Sequence, residues 1–201
     1  FELWSCLVPG INTFDYGSLP QGPKVVTFMA SPALEPSIAS GRTRIDAMPY
    51  SEIGALLARI EFDLAILHVA PPDEEGLCSF GIACEAPGLV WRNAKRRIAF
   101  VNRNMPHIPR SEKIPLDQVD LAVDIDAPLL SPASPAPRSA ILEAIARNAA
   151  GLVPDGAVIQ SGIGEAPGAV IAGLRDHRRL RVYSGLITAD YRQLANAGAL
   201  D

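Results

Sequence analysis

Short β-branched runs alternate with helix-period segments along most of this chain, the pattern of βαβ units built on a mainly parallel sheet. Val25 to Met29 reads as a strand, Ala33 to Ser40 as a helix, and Arg44 to Met48 as a second strand. Ser51 is the expected cap of an amphipathic helix with Ile53, Leu56, Leu57 and Ile60 on its apolar face. Asp63 to Ala70 is near-continuously apolar, which predicts a buried parallel strand, and Pro71-Pro72-Asp73 ends it. Pro87 to Lys95 has helical spacing and Arg97 to Asn102 is the next strand. Met105 to Pro115 carries three prolines and predicts an irregular loop. Gln118 to Asp126 is another strand, with Val119, Leu121, Val123 and Ile125 alternating against polar neighbours.

Pro128, Pro132, Pro135 and Pro137 then make a stiff, extended linker, and beyond it the pattern restarts. Ser139 caps a helix through about Ala150 with Ile141, Leu142 and Ile145 as its apolar stripe. Ala157 to Gln160 is a strand, Pro167 to Leu174 a helix with proline in its first turn, Arg181 to Tyr183 a short strand, and Asp190 to Ala197 a final helix. No repeat recurs at a fixed period. The pattern predicts an α/β fold in two units, 1–127 and 138–201, joined by the Pro-rich segment 128–137.

Composition narrows the class. With 48% hydrophobic and 20% charged residues the chain can build a core and is not disordered. A net charge of −4 argues against a general nucleic-acid binder. No apolar run approaches the roughly 20 residues of a membrane span, and the Phe1-Glu2-Leu3-Trp4 start lacks the pattern of a signal peptide. Cys6, Cys78 and Cys84 are odd in number and lack CxxC spacing, which favours a reducing, cytoplasmic setting over a disulfide framework or zinc site.

The sharpest chemical feature is Gln160-Ser161-Gly162-Ile163-Gly164-Glu165-Ala166-Pro167, set between a strand and a helix. Its glycines permit a tight turn and close ligand approach, and the free N–H groups of the helix start favour an anion. The same residues also read as a plain tight βα loop, and they complete neither GxGxxG nor a P-loop. Arg175 to Arg181 is a basic cluster that could meet phosphates, although such a run is more often a solvated helix end. His68 stands near the carboxyl end of a strand, where open α/β sheets bind ligands, although a satisfied core histidine fits the pattern as well. Cys78 and Cys84 have no activating base in sequence. GxSxG, HExxH and EF-hand patterns are absent from the sequence, which removes the hydrolase and metalloprotease classes those motifs mark.

Five segments in order resemble the acetyl-CoA hydrolase/transferase family, which includes 4-hydroxybutyrate CoA-transferase. They are Asp63 to Asp73, Gly76-Leu77-Cys78-Ser79-Phe80-Gly81, Ala94 to Asn102 with Met105-Pro106, Asp155 to Gly164, and Pro167. The resemblance implies a CoA-transferase-like fold, a mostly parallel sheet with flanking helices in two domains, and an active site in the cleft between them. On this alignment 1–127 is the first domain with its start missing, 128–137 the linker, and 138–201 the beginning of the second. Phe1 and Asp201 are then expected to be the limits of a fragment rather than natural termini.

The resemblance also implies covalent catalysis. A glutamate carboxylate attacks an acyl-CoA thioester, a glutamyl-CoA thioester forms, and a second carboxylate collects the CoA; with water as acceptor the site is a hydrolase. Backbone N–H groups would stabilise the oxyanion. Family members carry that glutamate in a His-Thr-Glu-Met-like strand end, whereas this chain has Tyr183-Ser184-Gly185-Leu186. Gly185 occupies the glutamate position, and neither Glu165 nor Asp190 matches it. The catalytic residue is therefore unassigned, and the expected CoA and substrate contacts are Gln160, Gly162, Ile163, Gly164, Pro167, Ser184 and Gly185.

Three readings follow. The first is a CoA-transferase or acyl-CoA hydrolase acting on a short-chain acyl-CoA, with coenzyme A as co-substrate, no permanently bound cofactor and no metal. Its partners are acyl-CoA and a small carboxylate, without nucleic acid or membrane, in a protein for which the family implies a homodimer. The second is a CoA-ester-binding or regulatory homologue without catalysis, motivated by Gly185. The third, resting on the glycine loop alone, is a nucleotide-binding domain unrelated to CoA.

Overall fold

Strands form here where β-branched and aromatic residues gather between Gly- and Pro-rich turns. The computed structural model describes residues 1–8, 11–82, 85–131 and 137–201, and the chain divides into two compact units, Phe1–Ala133 and Ser134–Asp201. Cys84 and the middle of the expected 128–137 linker lie outside the described residues.

In the first unit β1 (Glu2–Ser5), β2 (Lys24–Thr27), α1 (Glu35–Ala39) and β3 (Thr43–Ile45) give a parallel sheet in the order β1-β2-β3. Helix α2 (Tyr50–Leu57) leads to β4 (Phe62–Val69), β5 (Leu77–Ser79), α3 (Glu85–Val90), β6 (Ala94–Asn102), β7 (Lys113–Pro115) and β8 (Leu121–Ile125). Strands β4, β6 and β8 form a second parallel sheet in that order, while β5 and β7 pair antiparallel. The inner face of the second sheet buries Leu67, Val69, Ala99 and Val101 against Cys78, Phe80, Trp91 and Ile114. A smaller cluster gathers Phe28, Ile53 and Leu57 with Trp4. Trp4 lies 6.2 Å from the rings of both Phe28 and Phe62. Phe62 packs against both clusters, so one aromatic ring joins the two sheets.

Several expectations are corrected. Helix α2 starts at Tyr50, and its cap residue is Pro49, whose carbonyl accepts from Glu52 and Ile53 N–H; Ser51 lies inside the first turn. Strand β4 is buried on one side only: Ala65, Leu67 and Val69 point inward, whereas Leu64, Ile66 and His68 face outward and are exposed. Strand β6 begins at Ala94 because Phe62 of β4 pairs with it there, ahead of the expected start at Arg97. The proline-rich 105–115 segment ends in β7, where Pro115 is tolerated because the pair has only two strands and hence only edges. β1 carries no periodicity signal of its own and exists through pairing with β2.

In the second unit α4 (Ala140–Ala150), β9 (Val158–Ile159), α5 (Glu165–Gly173), β10 (Arg181–Val182) and α6 (Ala189–Asn196) surround a core of Ile159, Ile171, Leu174, Leu180, Tyr191 and Leu194. Ser139 caps α4 as expected, its hydroxyl accepting from Leu142 N–H at 3.3 Å. The expected stripe does not face inward. Ala146 and Ala150 are buried while Ile141 and Ile145 are exposed. The reason is close packing through small residues: a Cβ added at Gly173 of α5 would lie 3.5 Å from that of Ala150.

Two devices shape the loops at the carboxyl end of β4. The Asp73 carboxylate accepts from Lys113 Nζ at 2.9 Å and from Leu77 and Glu75 N–H, and the lysine contact foremost holds its pKa below the ordinary carboxylate value. Gly81 sits at φ +64, and a Cβ there would overlap the buried Met105 thioether. Gly81→Ala is expected to cost about 2 kcal/mol or more, from backbone strain plus overpacking. Urea denaturation of the two proteins measures this, and an unchanged midpoint would refute it.

Candidate functional site

Strands β9 and β10 pair in parallel, Val158 with Arg181 and Ile159 with Val182. Their carboxyl ends therefore emerge at one edge, and the loops they feed, 160–164 and 183–187, start side by side. Gly164 takes φ +127, a conformation open only to glycine, and its carbonyl accepts the first helical bond from Gly168 N–H. The N–H groups of Glu165 and Ala166 precede that bond and have no helical acceptor, while Pro167 has no N–H to leave unsatisfied. The turn thus presents main-chain donors at the positive end of α5.

Side chains tie the two loops together. Ser161 Oγ and Tyr191 Oη are 2.8 Å apart, and Tyr191 is almost fully buried in the core. Ser184 Oγ–H is shared between the carbonyls of Ser161, at 3.3 Å, and Leu186, at 3.1 Å. Gln160, Gly162, Ile163 and Gly164 are exposed on this edge, Pro167 is half-buried in the first turn of α5, and Ser184 is half-buried beside exposed Gly185. Among the described residues a Cβ at Gly185 would meet nothing within 4 Å, and its φ is outside the left-handed range. The position accepts a side chain without steric cost.

The nearby carboxylates differ. Asp190 is held by Arg138 Nη2 at 2.8 Å, which also donates to the Gly168 carbonyl. A Cβ at Gly168 would come 2.8 Å from Asp190 Oδ2, so the absence of a side chain there admits this ion pair. Glu165 is exposed in the first turn of α5, where its charge complements the helix dipole.

The basic cluster is elsewhere. Arg175 to Arg179 precede the amino end of β10, the opposite end from the glycine loop. There Arg178 N–H donates to Asp155 Oδ1 at 2.8 Å and the Arg178 guanidinium to the His177 carbonyl, so the segment anchors the 153–156 turn. Tyr191 and Arg138 were not legible as site residues. Their only signals are a tyrosine one residue after Asp190 and an arginine just before the Ser139 cap.

In the first unit His68 stands at the carboxyl end of β4 beside Asn102 of β6. The Asn102 carbonyl oxygen accepts from Asn104 and Ala127 N–H at 3.1 and 3.3 Å. Its amide nitrogen must then donate, to the Ala127 carbonyl and to His68 Nε2, each at 2.9 Å. This network assigns His68 the Nδ1–H tautomer. Desolvation lowers the His68 pKa below the ordinary 6.5. Cys78 is fully buried, and burial, with Asp73 second, raises its thiol pKa, so it is a packing residue. A cavity of about 460 Å³ lies at the amino ends of β4 and β6. Its lining charges are largely paired, Lys95 with Glu61 and Asp63 and Arg92 with Glu112.

Because the unfolded imidazole binds its proton more readily, the His68 contribution to stability is complete above pH 6.5 and is lost as pH falls toward the depressed folded value. Nitrogen-edited NMR is expected to show a neutral Nδ1–H ring at pH 7 and a midpoint below that of a free histidine. An Nε2–H signal at pH 7 would contradict the Asn102 arrangement.

No protein-family model matches the chain. Curated relatives do. The 4-hydroxybutyrate coenzyme A transferase of Clostridium kluyveri is 32% identical over 167 residues, covering 82% of this chain and 39% of the relative. The succinyl-CoA:acetate/propanoyl-CoA:succinate CoA transferase of Fasciola hepatica is 32% identical over 82% of this chain and 35% of its own length. Among solved structures, 4-hydroxybutyrate CoA-transferase from Porphyromonas gingivalis aligns with a TM-score of 0.73 at 26% identity, over 89% of this chain and 47% of that one. RipA from Yersinia pestis, at 24% identity, shares the fold with a TM-score of 0.77 over 88% of this chain and 43% of its own. The chain spans about two fifths of the length of the curated relatives it matches. In sequence and in fold, the chain belongs with the CoA-transferase family.

Proposed function

We propose that this chain binds a short-chain acyl-CoA thioester at the 160–167 and 183–187 edge of its second unit, as part of an acyl-CoA:carboxylate CoA-transferase or an acyl-CoA hydrolase. The observation that carries the reading is the pair of tied loops at the carboxyl ends of β9 and β10, which offers main-chain donors beside an unobstructed Gly185. Backbone N–H groups of the Gly162–Gly164 turn would bind the thioester carbonyl oxygen and stabilise the negative charge it gains on attack. Ser161, Tyr191 and Ser184 hold those donors in place.

Glycine has no carboxylate, so a glutamyl-enzyme cannot form at position 185. Thioester cleavage on this chain would then pass the acyl carbon directly to water: the hydroxyl oxygen bonds to the carbonyl carbon, the C–S bond breaks, and coenzyme A leaves with the displaced proton. The second reading, CoA-ester binding without turnover, is favoured by the same glycine and by the engagement of Asp190 with Arg138. Coenzyme A serves as co-substrate in both. The 1–127, 128–137 and 138–201 division, a cytoplasmic setting, and a small carboxylate partner without nucleic acid or membrane complete the proposal. The cysteine pattern supports that setting. Among the described residues, no helix is long and apolar enough to cross a membrane.

Calorimetry with acetyl-CoA and butyryl-CoA, paired with a free-thiol assay, tests the proposal. Binding with thiol release supports the enzyme, and binding alone supports the second reading. Absence of binding overturns both. Gly185→Glu is expected to fold normally, and after acyl-CoA and borohydride treatment to carry at position 185 the primary alcohol left when hydride reduces the glutamyl-CoA thioester and expels coenzyme A, read by intact mass and peptide mapping. The parent protein should yield no such alcohol.

A further inference from the structure

The two loops of the candidate site carry large apolar side chains in the open. Ile163 in the first and Tyr183, Leu186 and Ile187 in the second are 64, 81, 45 and 63% exposed. Single exposed apolar residues need no explanation, whereas a contiguous set marks a binding surface. The backbone makes this set contiguous. The Ser184 hydroxyl serves the carbonyls of both Ser161 and Leu186, which holds the Leu186 turn against the chain leading into Ile163. Gly162, Gly164 and Gly185, all exposed, leave the main chain uncovered among these side chains.

Cations are kept away from it. Within 160–167 and 183–187 the one charged side chain is that of Glu165, a carboxylate. The unit Ser134–Asp201 has seven arginines and no lysine, and each arginine is accounted for. Arg138 reaches the edge but is bound to Asp190 and the Gly168 carbonyl. Arg147 follows Ala146, which abuts Gly173 at the carboxyl end of α5. Arg175, Arg178, Arg179 and Arg181 come after that end, up to the amino end of β10. Arg192 stands about 200° around α6 from Asp190 and about 100° from Tyr191, exposed on the solvent side. The edge therefore meets a ligand with aliphatic surface and negative charge.

We propose that this edge selects acyl groups whose tail is aliphatic and uncharged, and discriminates against acyl groups that end in a second carboxylate. The inference rests on the acyl-CoA reading above and names the substrate class within it. With the thioester carbonyl at the glycine turn, a four-carbon acyl group extends about 4 Å from its carbonyl carbon, short enough to stay against the two loops. A terminal methyl is withdrawn from water there by Ile163 and Leu186. A terminal carboxylate loses hydration, gains no cation and faces Glu165. Each methylene fully withdrawn from water strengthens binding about fourfold, so tail length registers as well as charge.

Calorimetry on the intact chain with the dethia analogues of acetyl-, butyryl- and succinyl-CoA, in which a methylene replaces sulfur and prevents cleavage, tests this against free coenzyme A. Butyryl and succinyl groups match in carbon number and differ only at the last carbon, methyl against carboxylate. The butyryl analogue is expected to bind at least about tenfold tighter than the succinyl analogue and about fivefold tighter than the acetyl analogue. Leu186→Arg places a cation at an exposed position, should keep the parent's circular dichroism, and should bring the succinyl analogue at least level with the butyryl. Glu165→Gln should narrow the butyryl preference in the same direction, and it decides alone where Leu186→Arg loses the parent's spectrum. Equal binding of the butyryl and succinyl analogues by the parent, or tighter succinyl binding, overturns the inference and leaves the acyl-CoA reading standing. Binding of none of the four compounds overturns that reading and the inference with it. A butyryl preference that the substitutions leave unchanged overturns its assignment to this edge.

Discussion

Parallel strand pairing is the interaction on which the rest of this molecule depends. Among the described residues, every strand pairing except β5 with β7 is parallel. Parallel neighbours cannot be joined by a tight hairpin, so helices and long connections must intervene, and those helices need small residues where they approach one another. Gly173 against Ala150 is such a contact. The same pairing sends the chain out of neighbouring strands at a common edge. That is why a two-residue ladder between β9 and β10 suffices to bring residues 160–164 and 183–187 together across more than twenty positions of sequence.

Element types were largely legible in the sequence because both periods are strong: β-branched runs for β2, β4, β6 and β8, and apolar spacing for α2. What was not legible depends on partners distant in sequence. Strand β1 exists through β2, β7 through β5, and the first three residues of β6 through β4. The two errors of burial share a cause. The continuous apolarity of β4 and the Ile141-Leu142-Ile145 stripe of α4 are legible in the residues, but burial is a property of whatever packs there, and this chain leaves Leu64 and Ile66 of β4 and Ile141 and Ile145 of α4 exposed.

The candidate site divides in the same way. The glycine loop was visible because it is local: Gly164 must adopt a conformation that only glycine takes freely, and a helix must begin directly after it. The basic cluster from Arg175 was visible too, yet its meaning was not, since sequence proximity to the loop does not say at which end of a strand a residue falls. Parallel register puts it at the amino end of β10, where Asp155 accepts from it. Arg138 and Tyr191 reach the site through side-chain contacts spanning 52 and 30 positions, which no local pattern signals.

Gly185 separates two properties that a family resemblance bundles together. Ligand recognition at a turn of this kind uses main-chain N–H groups, which persist through side-chain substitution as long as the backbone path is kept. Here that path is kept by Gly164, by the Ser161–Tyr191 contact and by the bond from Ser184 to the Ser161 carbonyl, none of which involves position 185. Covalent catalysis, by contrast, resides in a single carboxylate whose removal leaves the scaffold untouched. Loss of the nucleophile and loss of the binding edge are therefore independent events. The geometry at Gly185, open and free of left-handed strain, is compatible with the proposed reading in which a carboxylate is missing and the tied loops are kept.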